Sequence, residues 1–101
     1  MIANFRNEYN FLSNFYSCLI HYGGHVYNNA EAAFQAQKVL SWSEREKFTN
    51  LTGSEAKKLG KQVNLRKDWE NVKLNIMYEI VLEKFKQNPK LRDYLIGTGN
   101  E

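Results

Sequence analysis

At 101 residues, 43% hydrophobic and 25% charged, the chain has the length and composition of one small globular domain. A single cysteine, Cys18, excludes an internal disulfide and a Cys-rich zinc site, and His21 and His25 come without partner ligands, so no metal is expected. No apolar run approaches membrane-spanning length and Met1-Ile2-Ala3-Asn4-Phe5-Arg6 lacks a signal-peptide core, so a cytoplasmic protein that meets no membrane is expected.

Taken in chain order, the first phrase is Phe11-Leu12-Ser13-Asn14-Phe15-Tyr16. Phe11, Leu12 and Phe15 can serve a core while Ser13 and Asn14 shape a turn. Alternatively, Asn14 offers its amide to the sugar or base of a ligand, and Phe15 or Tyr16 forms a stacking wall. A hairpin follows: Leu19-Ile20-His21-Tyr22 and His25-Val26-Tyr27 flank Gly23-Gly24, a two-residue primed-turn signal. A helix is predicted from Ala30 to about Leu40, with Asn28 as a candidate N-cap.

Ser43, with Glu46 three residues on, predicts a second short helix through about Thr49. Ser54 begins a third, stopped by Gly60 as a left-handed residue. From Lys57 to Lys67 the chain holds Lys57, Lys58, Lys61, Arg66 and Lys67 with no acid. This run reads as a solvated face or as a patch for phosphates of a nucleotide or nucleic acid. The longest helix runs from Asp68, as N-cap, to about Gln87. Trp69, Val72, Ile76, Ile80 and the stem of Lys84 form its core stripe, widened by Met77, Val81 and Phe85. Asn88-Pro89 breaks it, and Pro89 opens a short helix ending near Ile96. The fold class is therefore α+β: a single helix-rich domain of about five helices with a small N-terminal antiparallel β-hairpin.

The chemistry concentrates in Tyr27-Asn28-Asn29-Ala30-Glu31-Ala32-Ala33-Phe34-Gln35-Ala36-Gln37-Lys38. Side chains on a helix advance about 100° per residue, so positions seven apart share an azimuth. Glu31 and Lys38 are seven apart, with Phe34 and Gln35 between them. A carboxylate, an amide and an ammonium thus line one stripe beside an aromatic ring, a wall suited to a polar, ring-shaped ligand. The structural reading stands beside it: Glu31 at N3 would fold back on an Asn28 cap, Lys38 would favour the helix C-terminus from solvent, and Trp69 would anchor the core.

These phrases, in this order, resemble the NADAR, or YbiA-like, family. Ser54-Glu55-Ala56-Lys57-Lys58-Leu59-Gly60-Lys61 is similar to the family's Ala-Lys-x-x-Gly segment, and Arg66-Lys67-Asp68-Trp69 to its Arg-x-Asp-Trp. Met77 and Lys84-Phe85-Lys86-Gln87-Asn88-Pro89-Lys90-Leu91-Arg92 resemble its long helix and exit, and Leu95-Ile96-Gly97-Thr98-Gly99 its Leu-Leu-x-Thr-Gly. The resemblance is colinear from about Phe5 to Gly99. It implies an N-glycosidase, acting either on phosphorylated intermediates of riboflavin biosynthesis or on ADP-ribosylated guanine in nucleic acid. By the same resemblance Glu31 falls at the catalytic glutamate position and Lys38 at the lysine of that motif, while Trp69 matches a tryptophan associated with the active site. Family members usually continue past Thr-Gly into a Leu-Val-Glu stretch and a Trp-Gly-rich segment, whereas this chain stops at Asn100-Glu101, so it is expected to be C-terminally incomplete relative to them.

The expected chemistry follows from the bond. Cleaving an N-glycosidic link builds positive charge on the anomeric carbon, which Glu31 would stabilise, or Glu31 would deprotonate the attacking hydroxyl. Lys38 would donate a proton, bind phosphate, or form a Schiff base with an opened sugar, the last requiring its neutral amine. Asn14, Phe15, Gln35 and Trp69 are the candidate substrate-binding residues, with Trp69 or a ring of the first phrase stacking on the base. No cofactor is required. The expected partner is a nucleotide or ADP-ribose-type small molecule, free or on ADP-ribosylated nucleic acid. The rival readings are a binding module without turnover, and a partner-dependent fragment with an unfinished core.

Overall fold

The computed structural model describes residues 13–88. Two strands, β1 (Ile20–Tyr22) and β2 (His25–Tyr27), pair antiparallel with Ile20 opposite Tyr27 and Tyr22 opposite His25. The turn between them places Gly23 at φ 59° and Gly24 at φ 90°. Both lie in the left-handed region that a two-residue primed turn requires. Four helices follow among the described residues: α1 (Ala30–Ala36), α2 (Trp42–Glu46), α3 (Gly53–Gly60) and α4 (Trp69–Gln87). The arrangement is α+β, as the sequence predicts. The helix predicted from Pro89 to Ile96 lies outside the described residues, as do Phe11 and Leu12. Among the described residues no helix is long and apolar enough to cross a membrane.

The core gathers around α1. Ala30, Ala32, Ala33 and Ala36 are completely buried, joined by Ile20, Tyr27, Phe48, Ala56 and Ile80. Four alanines on a seven-residue helix let its neighbours approach the backbone closely, and α1 touches both strands and α2, α3 and α4. The consequence falls on its polar residues. With neighbours on every side, Glu31, Gln35 and Gln37 are buried rather than solvated.

The boundaries move where a better cap lies one or two residues away. The N-cap of α1 is Asn29, not Asn28: its side-chain oxygen accepts the N–H of Ala32 at 2.7 Å and its amide donates to the Leu51 carbonyl. Asn28 instead offers its carbonyl to Cys18. The helix also ends at Ala36, short of Leu40, because Gln37 closes it and the next residues tighten into a turn. In α2 the cap is Ser41 rather than Ser43. Thr52, not Ser54, starts α3 through a reciprocal capping box with Glu55. Gly60 is inside α3 and the C-cap is Lys61 at φ −77°, so Gly60 is no left-handed stop. Asp68 does precede α4, but its side chain makes no cap bond and holds Arg66 instead.

α4 closes the open edge of β1 with side chains. The Gln87 amide accepts from the His21 N–H at 2.7 Å and donates to its carbonyl at 3.0 Å, the exchange a neighbouring strand would make. Asn88 donates to the Leu19 carbonyl. An edge that would template pairing with another chain is thereby blunted.

Candidate active site

The first turn of α1 is tied to the loop before the hairpin. The Asn14 carbonyl accepts the Glu31 N–H at 3.0 Å, and Asn29 takes that of Ala32, so two of the helix's unpaired donors are satisfied without help from Glu31. The Glu31 side chain is therefore at N2 and free of capping duty. Its carboxylate accepts from Gln35 Nε2 at 2.6 Å, one turn along the helix, and is 9% exposed. A carboxylate near a helix N-terminus is also stabilised by the dipole.

Gln35 is fixed from the other side by α3. A Cβ at Gly60 would overlap the Gln35 Oε1, so a larger residue there would have to displace the Gln35 amide. Gln35 Oε1 is buried and has no hydrogen-bond partner among the described residues.

Lys38 follows α1 in the tight turn, its N–H on the Gln35 carbonyl at 3.1 Å. Its Nζ turns to the Gly60 carbonyl at 3.3 Å. Partial burial pushes its pKa below 10.5; the Glu31 carboxylate opposes that and the neighbouring Lys61 ammonium adds to it. The structure thus brings Glu31, Gln35 and Lys38 to one α1–α3 contact. Arg66 borders it, its N–H on the Lys38 carbonyl at 2.8 Å, its guanidinium reaching the Gln37 carbonyl and gripping Asp68 through two bonds. Arg66 closes the C-terminal end of α1, where a cation is favoured, so the basic run is not one uniform face: Lys57, Lys58, Lys61 and Lys67 are exposed, Arg66 is engaged.

The remaining candidates sit around this contact. Trp69 is 5% exposed, and its ring tilts against Phe34 with centroids 5.1 Å apart. Phe15 is half exposed and covers Gly53. The Asn14 amide lies 3.8 Å from the Met77 sulfur, so its backbone, rather than its side chain, meets Glu31.

Sequence reasoning missed two supports. The sequence presents Gly60 as a helix stop, while the Ala-Lys-x-x-Gly match marks the same position. The sequence presents Lys84 as an aliphatic stem, yet it is 1% exposed and its Nζ donates to the Ser13 carbonyl at 2.8 Å, beneath the Tyr16 ring. Its position on the Ile76–Ile80 stripe was the available signal. A hollow of about 630 Å³ lined by Leu19, His21, Gln87 and Asn88 contains none of the candidate residues.

The NADAR domain model matches residues 3–101. N-glycosidase YbiA of Escherichia coli K12 is 34% identical over 95 residues, 91% of this chain and 59% of that protein. N-glycosidase Npun_R5314 of Nostoc punctiforme is 34% identical over 99 residues, covering 92% of this chain and 64% of its own length. Riboflavin biosynthesis protein VVA0006 of Vibrio vulnificus is 34% identical over 96 residues, 92% of this chain and 26% of that protein. The NMR structure of Escherichia coli YbiA matches with a TM-score of 0.81 at 32% identity, over 96% of this chain and 60% of that one. The chain therefore spans less than two thirds of the length of these relatives.

Proposed function

This chain belongs to the NADAR domain family, and on that footing we propose that it hydrolyses an N-glycosidic bond, with Glu31 as the carboxylate at the reacting sugar. The observation that carries this reading is the buried Glu31, oriented by Gln35 and accompanied by the Lys38 ammonium across a single α1–α3 contact. Water adds across the bond: its oxygen joins the anomeric carbon and a proton leaves with the base. Glu31 stabilises the developing cation or takes the proton of the attacking water. Burial strengthens that effect, because low dielectric weakens charges less than bulk water does.

Lys38, with its pKa lowered, is suited to proton donation, and its neutral form to attack on an opened sugar aldehyde. The substrate class is a purine or pyrimidine-like N-glycoside of a phosphorylated ribose, either ADP-ribosylated guanine or an aminouracil phosphate of riboflavin biosynthesis. The names of the relatives, N-glycosidase and riboflavin biosynthesis protein, support the reaction and the second substrate.

The test is incubation of the purified chain with ADP-ribosylated guanosine and with an aminouracil ribose phosphate, following released base by chromatography. Release by the wild type, abolished in Glu31→Gln with the melting temperature within about a degree or two, is expected, since Gln keeps the shape and the acceptor for Gln35 but not the charge. Equal release by both would remove Glu31 from the mechanism. A second reading, a binding module without turnover, predicts calorimetric binding of the same compounds with no base released.

A further inference from the structure

We propose that Gly60 is a positioning residue that sets the Glu31 carboxylate and the Lys38 ammonium relative to each other, through its absent side chain for the first and its carbonyl for the second. The inference rests on the glycosidase reading for its consequence in turnover, but its geometry is independent of that reading.

Gly60 stands at the end of α3, and the residue that caps the helix is Lys61 in an ordinary right-handed conformation. Among the described residues the glycines at positive φ are Gly23 and Gly24, and Gly60 is not one of them. What the position requires is therefore not backbone freedom but the space of a missing Cβ. That space is filled by the Gln35 amide: an added Cβ would overlap Oε1 and stand 2.7 Å from Cδ. The same amide, seated there, directs its Nε2 to Glu31. The carbonyl of the same residue accepts from Lys38 Nζ. Two candidate groups seven residues apart are thus both referenced to one backbone unit of α3. A change at Gly60 that swings the Gln35 amide disturbs the acid, and the accompanying shift of its carbonyl disturbs the amine.

Propensity alone argues the other way. Alanine is the better helix former, so Gly60→Ala in a helix that tolerated it would raise stability. Damage from this substitution would reflect position, not helix formation. The experiment compares wild type, Gly60→Ala and Gln35→Ala/Gly60→Ala, in which the overlapping amide is removed. The Lys38 ammonium is followed by NMR across its titration in each, and turnover is measured as kcat and KM.

Gly60→Ala is expected to move the Lys38 midpoint, which Glu31 and Lys61 also influence, and to lower kcat at least tenfold with KM changed less. The double variant is expected to return the Lys38 midpoint toward that of the wild type. A Gly60→Ala chain with the wild-type midpoint, or with wild-type kcat, overturns the proposal. If the single variant does not fold, a folded double variant supports the proposal and an unfolded one overturns it, because the glycine would then be needed for something other than Gln35. If the wild type releases no base from any substrate, the glycosidase reading fails and the Lys38 midpoints alone decide this one.

Discussion

Trp69 and Lys38 show how burial divides residues that the sequence groups together. The Trp69 indole is 5% exposed and lies against Phe34, which itself stands on α1 between Glu31 and Lys38. An aromatic in that position holds the neighbouring ring in place whether or not it reaches a ligand. Trp69→Ala is expected to cost about 3–5 kcal/mol in urea unfolding, the usual loss for a truncated buried aromatic. Trp69→Phe keeps most of the volume and should recover most of that loss. A Phe variant with unaltered ligand affinity and stability would reject a specific indole contact. For Lys38 the distinction is chemical. If it forms an imine with an opened ribose, borohydride added during turnover should trap a ligand adduct on it, detectable by mass spectrometry. Lys38→Arg should give none, since Arg keeps the positive charge but does not lose its proton. Absence of adduct in the wild type while base is being released would leave Lys38 as a proton donor or phosphate contact.

At the scale of elements, the Gly23-Gly24 turn located the hairpin, cap and stop residues located the short helices to within a few residues, and hydrophobic spacing located α4, whose periodicity is a property of the whole segment. The caps were less legible. Asn28 and Asn29 are adjacent and chemically identical, and only the tertiary contact of the Asn29 amide with the Leu51 carbonyl selects the second. That one-residue shift decides the site, since it moves Glu31 from N3, where it would bond the cap, to N2, where it is released to Gln35. Glu31, Gln35 and Lys38 were legible as one stripe because their spacing is helical; Gly60 was not, because its role is a tertiary contact with Gln35 and with Lys38, the latter 22 residues away in the chain, which spacing does not encode. Replacing Asn29 tests the selection. Asn29→Ala removes the acceptor for Ala32 and the donor to Leu51, and a cap of this type is worth about 1 kcal/mol alone. The expected loss in chemical denaturation is about 2 kcal/mol with the half-buried Leu51 carbonyl left unpaired. Asn29→Asp should restore the cap bond and not the Leu51 contact, giving an intermediate loss. An Asp variant as unstable as Ala would mean that the Leu51 contact, not the cap, dominates.

Across the whole molecule, α4 is linked to the site through Lys84. Its ammonium holds the Ser13 carbonyl, the next residue Asn14 accepts the Glu31 N–H, and so the position of the acid depends on a charge buried near the middle of the fold. Burial pushes the Lys84 pKa below 10.5, with Cys18 pulling the other way. The sign of the resulting pH dependence follows from proton counts. Between the folded-state pKa and 10.5 the unfolded chain keeps a proton that the native state has lost, so this contribution to stability rises with pH and levels off above 10.5. Cys18 and Tyr22 act in the opposite sense. Burial raises both, and a hydrogen bond to Glu79 raises Tyr22 further, so the native state holds those protons longer and stability falls as pH climbs past 9.0 and 10.0 respectively. The wild-type curve mixes the two slopes. Lys84→Met separates them, and making the comparison in a Cys18→Ala background removes the thiol whose titration Lys84 itself influences. The stability of Cys18→Ala minus that of Cys18→Ala/Lys84→Met is expected to rise from neutral pH toward 10.5 and then stay constant. Tyr22 cancels in that difference unless its bond to Glu79 changes, which the phenol's ultraviolet titration reports. A difference that does not vary with pH would mean that Lys84 is solvated in solution and that the Ser13 loop is held to α4 by packing rather than by the ammonium.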